Sequence, residues 1–379
     1  MDFNLTKEQL MVKKMIRAFT ENEVKPLAAE IDETERFPQE TVDKMRRYGL
    51  LGMCMPKNYG GAGADELSYA ICVEELSRYC ATTSVIFSAH NSLCCWPIMK
   101  FGTEEQKQKY LVPLAKGEKL GAFALTEPNA GTDASSQATS AVKDGDYYII
   151  NGSKIFITNG GKADIFVIFV MTDKSLGTKG ISSFIVERNT PGFSIGKIEK
   201  KMGIRGSSTA ELVFQNMRVH KDNMLGKDGK GFSIAMQTLD GGRIGIASQA
   251  LGIAQGALDE TIKYIMQREQ FGKSLSKFQA IQFDIADMVT RVDAARFLVY
   301  RAACAKQEGK PYSVLAAQAK LFAAETAMYV TTKAVQLHGG YGYTKDYPVE
   351  RMMRDAKITE IYEGTSEVQR MVIAGNTLK

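Results

Sequence analysis

The stretch Tyr147-Tyr148-Ile149-Ile150-Asn151-Gly152-Ser153-Lys154-Ile155-Phe156-Ile157-Thr158 decides the fold class. β-branched and aromatic residues flank Asn151-Gly152, and Asp144-Gly145 stands just ahead of them. Both dipeptides favour the two-residue turns that join antiparallel strands. Residues 147–150 and 155–158 therefore read as strands, and 165–172, 181–186 and 212–214 have the same β-rich composition. No long segment of helical period interrupts them, which predicts an antiparallel β-domain over 119–228 and not a βαβ sheet.

On either side the period changes. Residues 1–118 read as an N-terminal helical domain. Thr6-Lys7-Glu8-Gln9 and Thr103-Glu104-Glu105-Gln106 are capping boxes, the first leading into Met11, Met15 and Phe19 at four-residue spacing. Pro38 suits a first helical position and Gly49 a C-terminal cap, while 65–80 reads as a longer helix with one apolar side. Residues 229–379 return to long helices at about 232–270, 276–308, 313–337 and 364–376, which predict a four-helix bundle. The expected class is α+β in three blocks.

Composition narrows the function. The chain has 379 residues, 44% apolar and 24% charged, which excludes extensive disorder and allows two or three domains. Apolar runs such as 165–171 fall far short of the roughly 20 residues of a bilayer span, so no membrane insertion is expected. Met1-Asp2-Phe3-Asn4 has no basic region leading into an apolar stretch, so no secretory signal is read there. The 48 basic and 43 acidic residues are interleaved, giving +5 without a nucleic-acid footprint but with room for an anionic small molecule. Six cysteines (54, 72, 80, 94, 95, 304) form no CxxC, which suggests reduced thiols in a cytoplasmic protein. Three histidines (90, 220, 338) show no metal-binding spacing, and no metal site is expected.

Several segments could carry chemistry. Gly192-Phe193-Ser194-Ile195-Gly196 matches a GxSxG elbow, but it lies among strand-like residues with no helix pattern after it, so it reads as a β-domain turn. Asn129-Ala130-Gly131-Thr132-Asp133, Asp240-Gly241-Gly242-Arg243 and Gly339-Gly340-Tyr341-Gly342 could bring backbone N–H groups close to phosphate, or serve geometry alone. Neither a P-loop nor a GxGxxG fingerprint is present, so a nucleotide must be held some other way. Glu363, within Ile361-Tyr362-Glu363-Gly364-Thr365, has two readings. It is either an exposed linker residue before a helix capped by Thr365, or a carboxylate in an apolar pocket where desolvation makes it a general base.

Together these segments resemble the acyl-CoA dehydrogenase family over the whole chain. The likeness rests on five ordered motifs. They are Phe123-Ala124-Leu125-Thr126-Glu127-Pro128 with Gly131-Thr132-Asp133, Asn151-Gly152-Ser153-Lys154, Arg268-Glu269-Gln270-Phe271-Gly272, Gln336-Leu337-His338-Gly339-Gly340-Tyr341-Gly342, and Arg354-Asp355-Ala356 with Ile361-Tyr362-Glu363-Gly364-Thr365. The nearest likeness is to bacterial short-chain members, on general similarity.

The resemblance implies a fold of helical, β and four-helix-bundle domains, a homotetramer, and FAD as cofactor. It implies that Phe123, Leu125, Thr126, Gly131 and Thr132 line the flavin ring and that Phe156, Ile157 and Thr158 pack behind it. Many relatives carry tryptophan where Phe156 stands. It further implies that Arg268, Phe271 and Gln279 reach the FAD of a neighbouring subunit. Gln336, Leu337, Gly339 and Gly340 close over the adenine end, and Thr365 and Glu367 complete that site. Thr132, Asp240, Arg243 and Gly364 would meet the acyl-CoA. In one branch of the family the base sits beside the arginine of the LDGGR-like segment; here that neighbour is Gly242, which leaves Glu363. Glu363 would take the α-proton of a short acyl-CoA such as butyryl-CoA while a hydride passes from the β-carbon to the flavin. The thioester carbonyl would be held by the Glu363 N–H and a flavin hydroxyl. Electrons would go on to an electron-transfer flavoprotein. The alternatives are an acyl-CoA oxidase-type flavoenzyme on the same fold and a non-enzymatic acyl-CoA-binding scaffold.

Overall fold

The computed structural model describes residues 4–378; Met1–Phe3, part of the stretch read for a signal, lie outside the described residues. The chain opens with α1 (Lys7–Phe19), α2 (Ala28–Thr34), α3 (Gln39–Arg47), α4 (Glu66–Ser77), α5 (Ala81–Ser88), α6 (Trp96–Phe101), α7 (Glu104–Gln106) and α8 (Val112–Ala115). Both capping boxes form, Thr6 with Gln9 and Thr103 with Gln106, each pair bonding reciprocally. Pro38 precedes α3 by one place, and Gly49 follows it in a left-handed conformation. The four-residue stripe on α1 is corrected. Met11 and Met15 are exposed, whereas Ile16 and Phe19 turn inward, because steps of four drift around a helix of 3.6 residues per turn. Helix α4 is corrected as well: it is buried on every side, with Glu74 and Glu75 inside. Arg17 grips Glu75 through two nitrogens at 3.0 and 2.9 Å, and Arg296 and Tyr300 bond Glu74, so neither charge is left unpaired.

Seven strands follow: β1 (Gly121–Ala124), β2 (Ser140–Asp144), β3 (Tyr147–Ile157), β4 (Ile165–Met171), β5 (Ile181–Glu187), β6 (Phe193–Ile198) and β7 (Ala210–His220). The sheet is mixed, which corrects the antiparallel expectation: β1 runs parallel to β4, and β2 meets β4 in parallel at Ser140–Met171. The remaining pairs, β2–β3, β3–β7, β4–β5 and β6–β7, are antiparallel. Strand β4 is buried along its whole length, which its unbroken apolar run anticipates. The turn read at Asp144-Gly145 forms one residue later: Asp144 pairs with Tyr147, and Gly145-Asp146 make the loop. Asn151-Gly152 does not turn the chain. It lies inside β3 at a register shift opposite β7, with Gly152 at φ 139° and the Asn151 side chain accepting from the Asn216 N–H. A bulge and a tight turn both recruit such residues, so the dipeptide alone cannot separate them. The segment matching GxSxG is strand β6, not a strand-to-helix elbow.

Lys154 on β3 is fully buried. Its Nζ donates to Glu127 Oε1 at 2.7 Å, to Gln137 Oε1 at 2.9 Å and to Leu125 O at 3.0 Å. Glu127 also accepts from the N–H groups of Ala138 and Thr139. Burial opposes its ionisation, but Lys154 and these donors outweigh that and hold the carboxyl below its ordinary range. The group braces both ends of the 125–139 loop. Lys154→Met is expected to cost about 3–5 kcal/mol, the usual penalty for orphaning one member of a buried pair. A denaturant melt within 1 kcal/mol of the parent, on the scale of an exposed pair, would show the brace to be dispensable.

The C-terminal helices are α9 (Gly231–Gln267), α10 (Gln279–Gln307), α11 (Ser313–His338), α12 (Val349–Ile358) and α13 (Ser366–Thr377). The three long ones pack together around an alanine-rich core, and α12 and α13 both pack on α11. Helix α12 was not read from the sequence. A small hairpin, β8 (Glu269–Gln270) and β9 (Lys273–Ser274), ends α9 three residues earlier than expected, with Phe271 and Gly272 at its tip. Both tip residues have positive φ, as a two-residue turn of this hand requires. Arg354 on α12 bonds Asp32 on α2, Glu350 on its own helix and the carbonyl of Met202, while buried Asp355 accepts from the Ile204 N–H. Helices and the connection between β6 and β7 thereby meet at one point. Among the described residues no helix is long and apolar enough to cross a membrane.

Candidate active site

The turn after α12 carries Glu363 at φ 53° and Gly364 at φ 95° into the molecule. Three bonds hold it there. The Gly364 carbonyl accepts from Lys320 Nζ at 2.7 Å and from Gln369 Nε2 at 2.8 Å, and the Tyr362 hydroxyl donates to Gln249 Oε1. Gln249 is fixed in turn by its own amide, which donates to Ala81 O and Ser84 Oγ. Thr365 caps α13, its Oγ1 accepting from the Val368 N–H. The turn is therefore anchored to α5, α9, α11 and α13.

The Glu363 side chain points at α9. A Cβ at Gly242 would lie 2.1 Å from Glu363 Oε2 and 2.8 Å from Leu93 Cδ2. Mid-helix glycine costs about 0.5–1 kcal/mol relative to alanine, and here it leaves the space the carboxylate fills. Oε2 is buried and has no hydrogen-bond partner among the described residues. Burial pushes the carboxyl up to about 7, against the opposing pull of the Lys320 and Arg243 cations. The N–H groups of 359–362 each donate within the turn, whereas those of Glu363, Gly364 and Thr365 donate to no acceptor among the described residues. A buried carboxylate poised near neutrality beside free backbone donors can take a proton from carbon and steady the oxyanion that results. The exposed-linker reading of Glu363 does not survive this geometry.

The other expected residues divide into two groups. Phe123 is half-buried at 4.9 Å from the Phe169 ring, Leu125 is buried between helices and sheet, and Gly131 and Thr132 are exposed. Phe156 sits at φ 57° with its ring 60% exposed, a left-handed non-glycine residue where β3 bulges. Thr126 and Thr158 are half-buried, but Ile157 faces the sheet's core, so only its backbone could meet a ligand. These residues belong to the middle of the chain. Arg268, Gln336, Leu337, Gly339 and Gly340 instead line one cleft of about 570 Å³, together with Tyr264, Tyr341 and their neighbours. No lining residue comes from the sheet. A Cβ on Gly339 or Gly340 would meet nothing within 4 Å, and Arg268 lies over the Tyr341 ring without a carboxylate partner among the described residues. Phe271 is 94% exposed, Gln279 begins α10, and Glu367 is exposed in the first turn of α13.

Asp240-Gly241-Gly242-Arg243 is helical, so its N–H groups are committed to α9 and form no phosphate cradle, which corrects that reading. Arg243 turns inward and bonds Asp240 Oδ1 at 2.6 Å; Ser313 adds a second bond to that oxygen. Arg243 Nε is buried with no partner among the described residues. Leu93, Gln249, Lys320 and Gln369 were missed from the sequence. For Lys320 a signal existed, because it stands among Ala316, Ala319, Ala323 and Ala327 on the buried face of α11.

Profiles of the acyl-CoA dehydrogenase N-terminal, middle and C-terminal domains match residues 6–118, 122–217 and 229–378. The chain belongs to the acyl-CoA dehydrogenase family. It is 68% identical over 379 residues to a short-chain specific acyl-CoA dehydrogenase of Clostridium acetobutylicum, covering 100% of both chains. The solved butyryl-CoA dehydrogenase of Megasphaera elsdenii superposes with a TM-score of 0.99 at 57% identity, covering 100% of both. A chain solved in work on the electron transferring flavoprotein of Acidaminococcus fermentans gives 0.99 at 59% identity, again over 100% of both.

Proposed function

We propose that the chain is a short-chain acyl-CoA dehydrogenase that oxidises butyryl-CoA or a close homologue to the trans-2-enoyl-CoA and passes electrons to an electron-transfer flavoprotein. The observation that carries the reading is the unpartnered Glu363 Oε2 lodged against Gly242. When bound, FAD supplies the two-electron acceptor for the β-hydrogen. Its two half-sites fit the group. The sheet presents Phe123, Thr126, Phe156 and Thr158, and the cleft offers an unpaired guanidinium whose fork suits a diphosphate beside glycines open to close approach. The lining of that cleft comes from the C-terminal helices and hairpin and not from the sheet, and we infer that the two halves meet between copies of a homotetramer.

Glu363 accepts the α-proton. The free N–H of Glu363 donates to the thioester carbonyl as negative charge gathers on its oxygen, with the neighbouring Gly364 backbone against the same group. We assign Leu93, against the same Gly242 wall, to keeping water from the carboxylate, and Arg243, Asp240 and Thr132 to the rest of the acyl-CoA. The reading includes a cytoplasmic enzyme, in keeping with six free cysteines, and domain limits at 118 and 228.

The acyl preference follows from the same helix. One turn beyond Gly242, a Cβ at Gly245 would lie 2.5 Å from Ser88 Oγ and 2.6 Å from the Tyr69 hydroxyl, which bond each other at 2.8 Å. This buried, mutually bonded pair already fills the space beside α9 there, so a longer acyl chain would have to displace it. Butyryl-CoA is expected to give the highest kcat/KM for flavin bleaching, with octanoyl-CoA lower by about tenfold or more. Faster bleaching by octanoyl- or palmitoyl-CoA than by butyryl-CoA would overturn the chain-length assignment.

A further inference from the structure

Lys320 projects from the middle of α11 into the protein and is fully buried, an unusual place for an ammonium. It donates to the Gly364 carbonyl at 2.7 Å, and no carboxylate lies within ion-pair distance of it among the described residues. Gly364 follows Glu363 directly: the bonds from Lys320 and Gln369 to its carbonyl fix the peptide that joins Gly364 to Thr365, and Gln369 Nε2 also donates at 3.4 Å to the Glu363 carbonyl, in the peptide that joins Glu363 to Gly364. We propose that Lys320 is a positioning residue for the reaction: it clamps the backbone that bears Glu363 and supplies the counter-charge against which that carboxylate is held. The inference rests on the function proposed above and names a second residue for it.

The groups that face this pair come from every element around it. Glu363 is approached by Lys320 from α11, by Arg243 from α9, by Tyr69 from α4 and by its neighbour Tyr362. Lys320 is approached by Glu363, Arg243, Glu360 and Glu367. Arg243 is already engaged by Asp240 at 2.6 Å, and the two charges largely cancel at a distance. Lys320 has no ion-pair partner among the described residues, and it is the larger of the two cationic influences on Glu363. Burial in turn brings the lysine down to about 8, a position close enough to neutrality for the two protons to be coupled.

The test uses the FAD-loaded enzyme and two readouts. Infrared difference titration follows the protonated Glu363 carboxyl directly, identified by its loss in Glu363→Gln. Anaerobic bleaching by butyryl-CoA follows the pH dependence of kcat/KM. Lys320→Met, close in shape but uncharged, is expected to move both midpoints to higher pH by roughly one unit or more, the scale of a lost neighbouring charge. Bleaching at pH 7 then falls about tenfold and recovers at higher pH. Lys320→Arg, which keeps the charge, is expected to return the midpoints toward the parent. Superimposable midpoints for Lys320→Met and the parent would overturn the inference. Lys320→Gln serves the same readout if the methionine variant loses its flavin. A parent enzyme that no acyl-CoA bleaches would overturn the proposed function, while the infrared midpoints would still judge Lys320.

Discussion

Glu363→Gln is expected to yield a yellow, tetrameric protein that binds acyl-CoA and whose flavin is bleached orders of magnitude more slowly. Glutamine keeps the volume beside Gly242 and the bond from Gln369 to the turn, so neither fold nor cofactor should be lost. It cannot accept the α-proton. Loss of a general base typically costs about 10²–10⁴-fold, and more where no water can replace it. The parent's kcat/KM should rise with pH through an ionisation near the position to which burial moves Glu363, about 7. The sign is fixed: a base works ionised, so activity is lost as pH falls through that midpoint. In the variant the ionisation should vanish. Near-parental bleaching would place the base elsewhere. Glu127 is then a poor substitute, because Lys154 and two N–H groups already occupy its oxygens, and Glu367 stands exposed on α13.

Arg268→Ala is expected to weaken FAD retention and tetramer stability together. Hydrogen bonds to charged groups are worth about 1.5–3 kcal/mol each, so losing a bidentate grip on a diphosphate should raise the dissociation constant of FAD by tenfold or more. On the proposed site shared between copies, the bound cofactor would hold two copies together, and its loss should loosen them. Flavin fluorescence during dilution and the mass of the eluting species measure both effects. A stable monomer with full FAD occupancy would sink the shared site.

The sequence carried the block order of the fold and its helix starts because those depend on local chemistry: a capping box at Thr6 or Thr103 is closed within four residues. It misjudged what depends on distant partners. Asn151-Gly152 bulges because β7 lies across it, and β1 runs parallel because the chain returns to it only through β4. Glu363 was visible as a flanked carboxylate with two readings, and only the burial of Oε2 against a glycine on another helix separates them. The partners of its turn's anchors were not visible, although the alanines around Lys320 marked it as facing inward. Gln249 and Lys320 lie on helices remote in sequence, and nothing local to either names the carbonyl or hydroxyl it meets.

The junction at Arg354 and Asp355 bears on how the molecule comes apart. One guanidinium is shared by Asp32, Glu350 and the Met202 carbonyl, and the next residue holds the Ile204 N–H. Neither the first helices nor the β6–β7 connection can detach without stranding a charge or amide on the third partner, so partial opening costs nearly as much as complete opening. Heating should therefore give one calorimetric transition, with helical and sheet signals lost together; replacing Arg354 by alanine should split it, and a parent that already melts in two steps would show that the junction does not govern cooperativity.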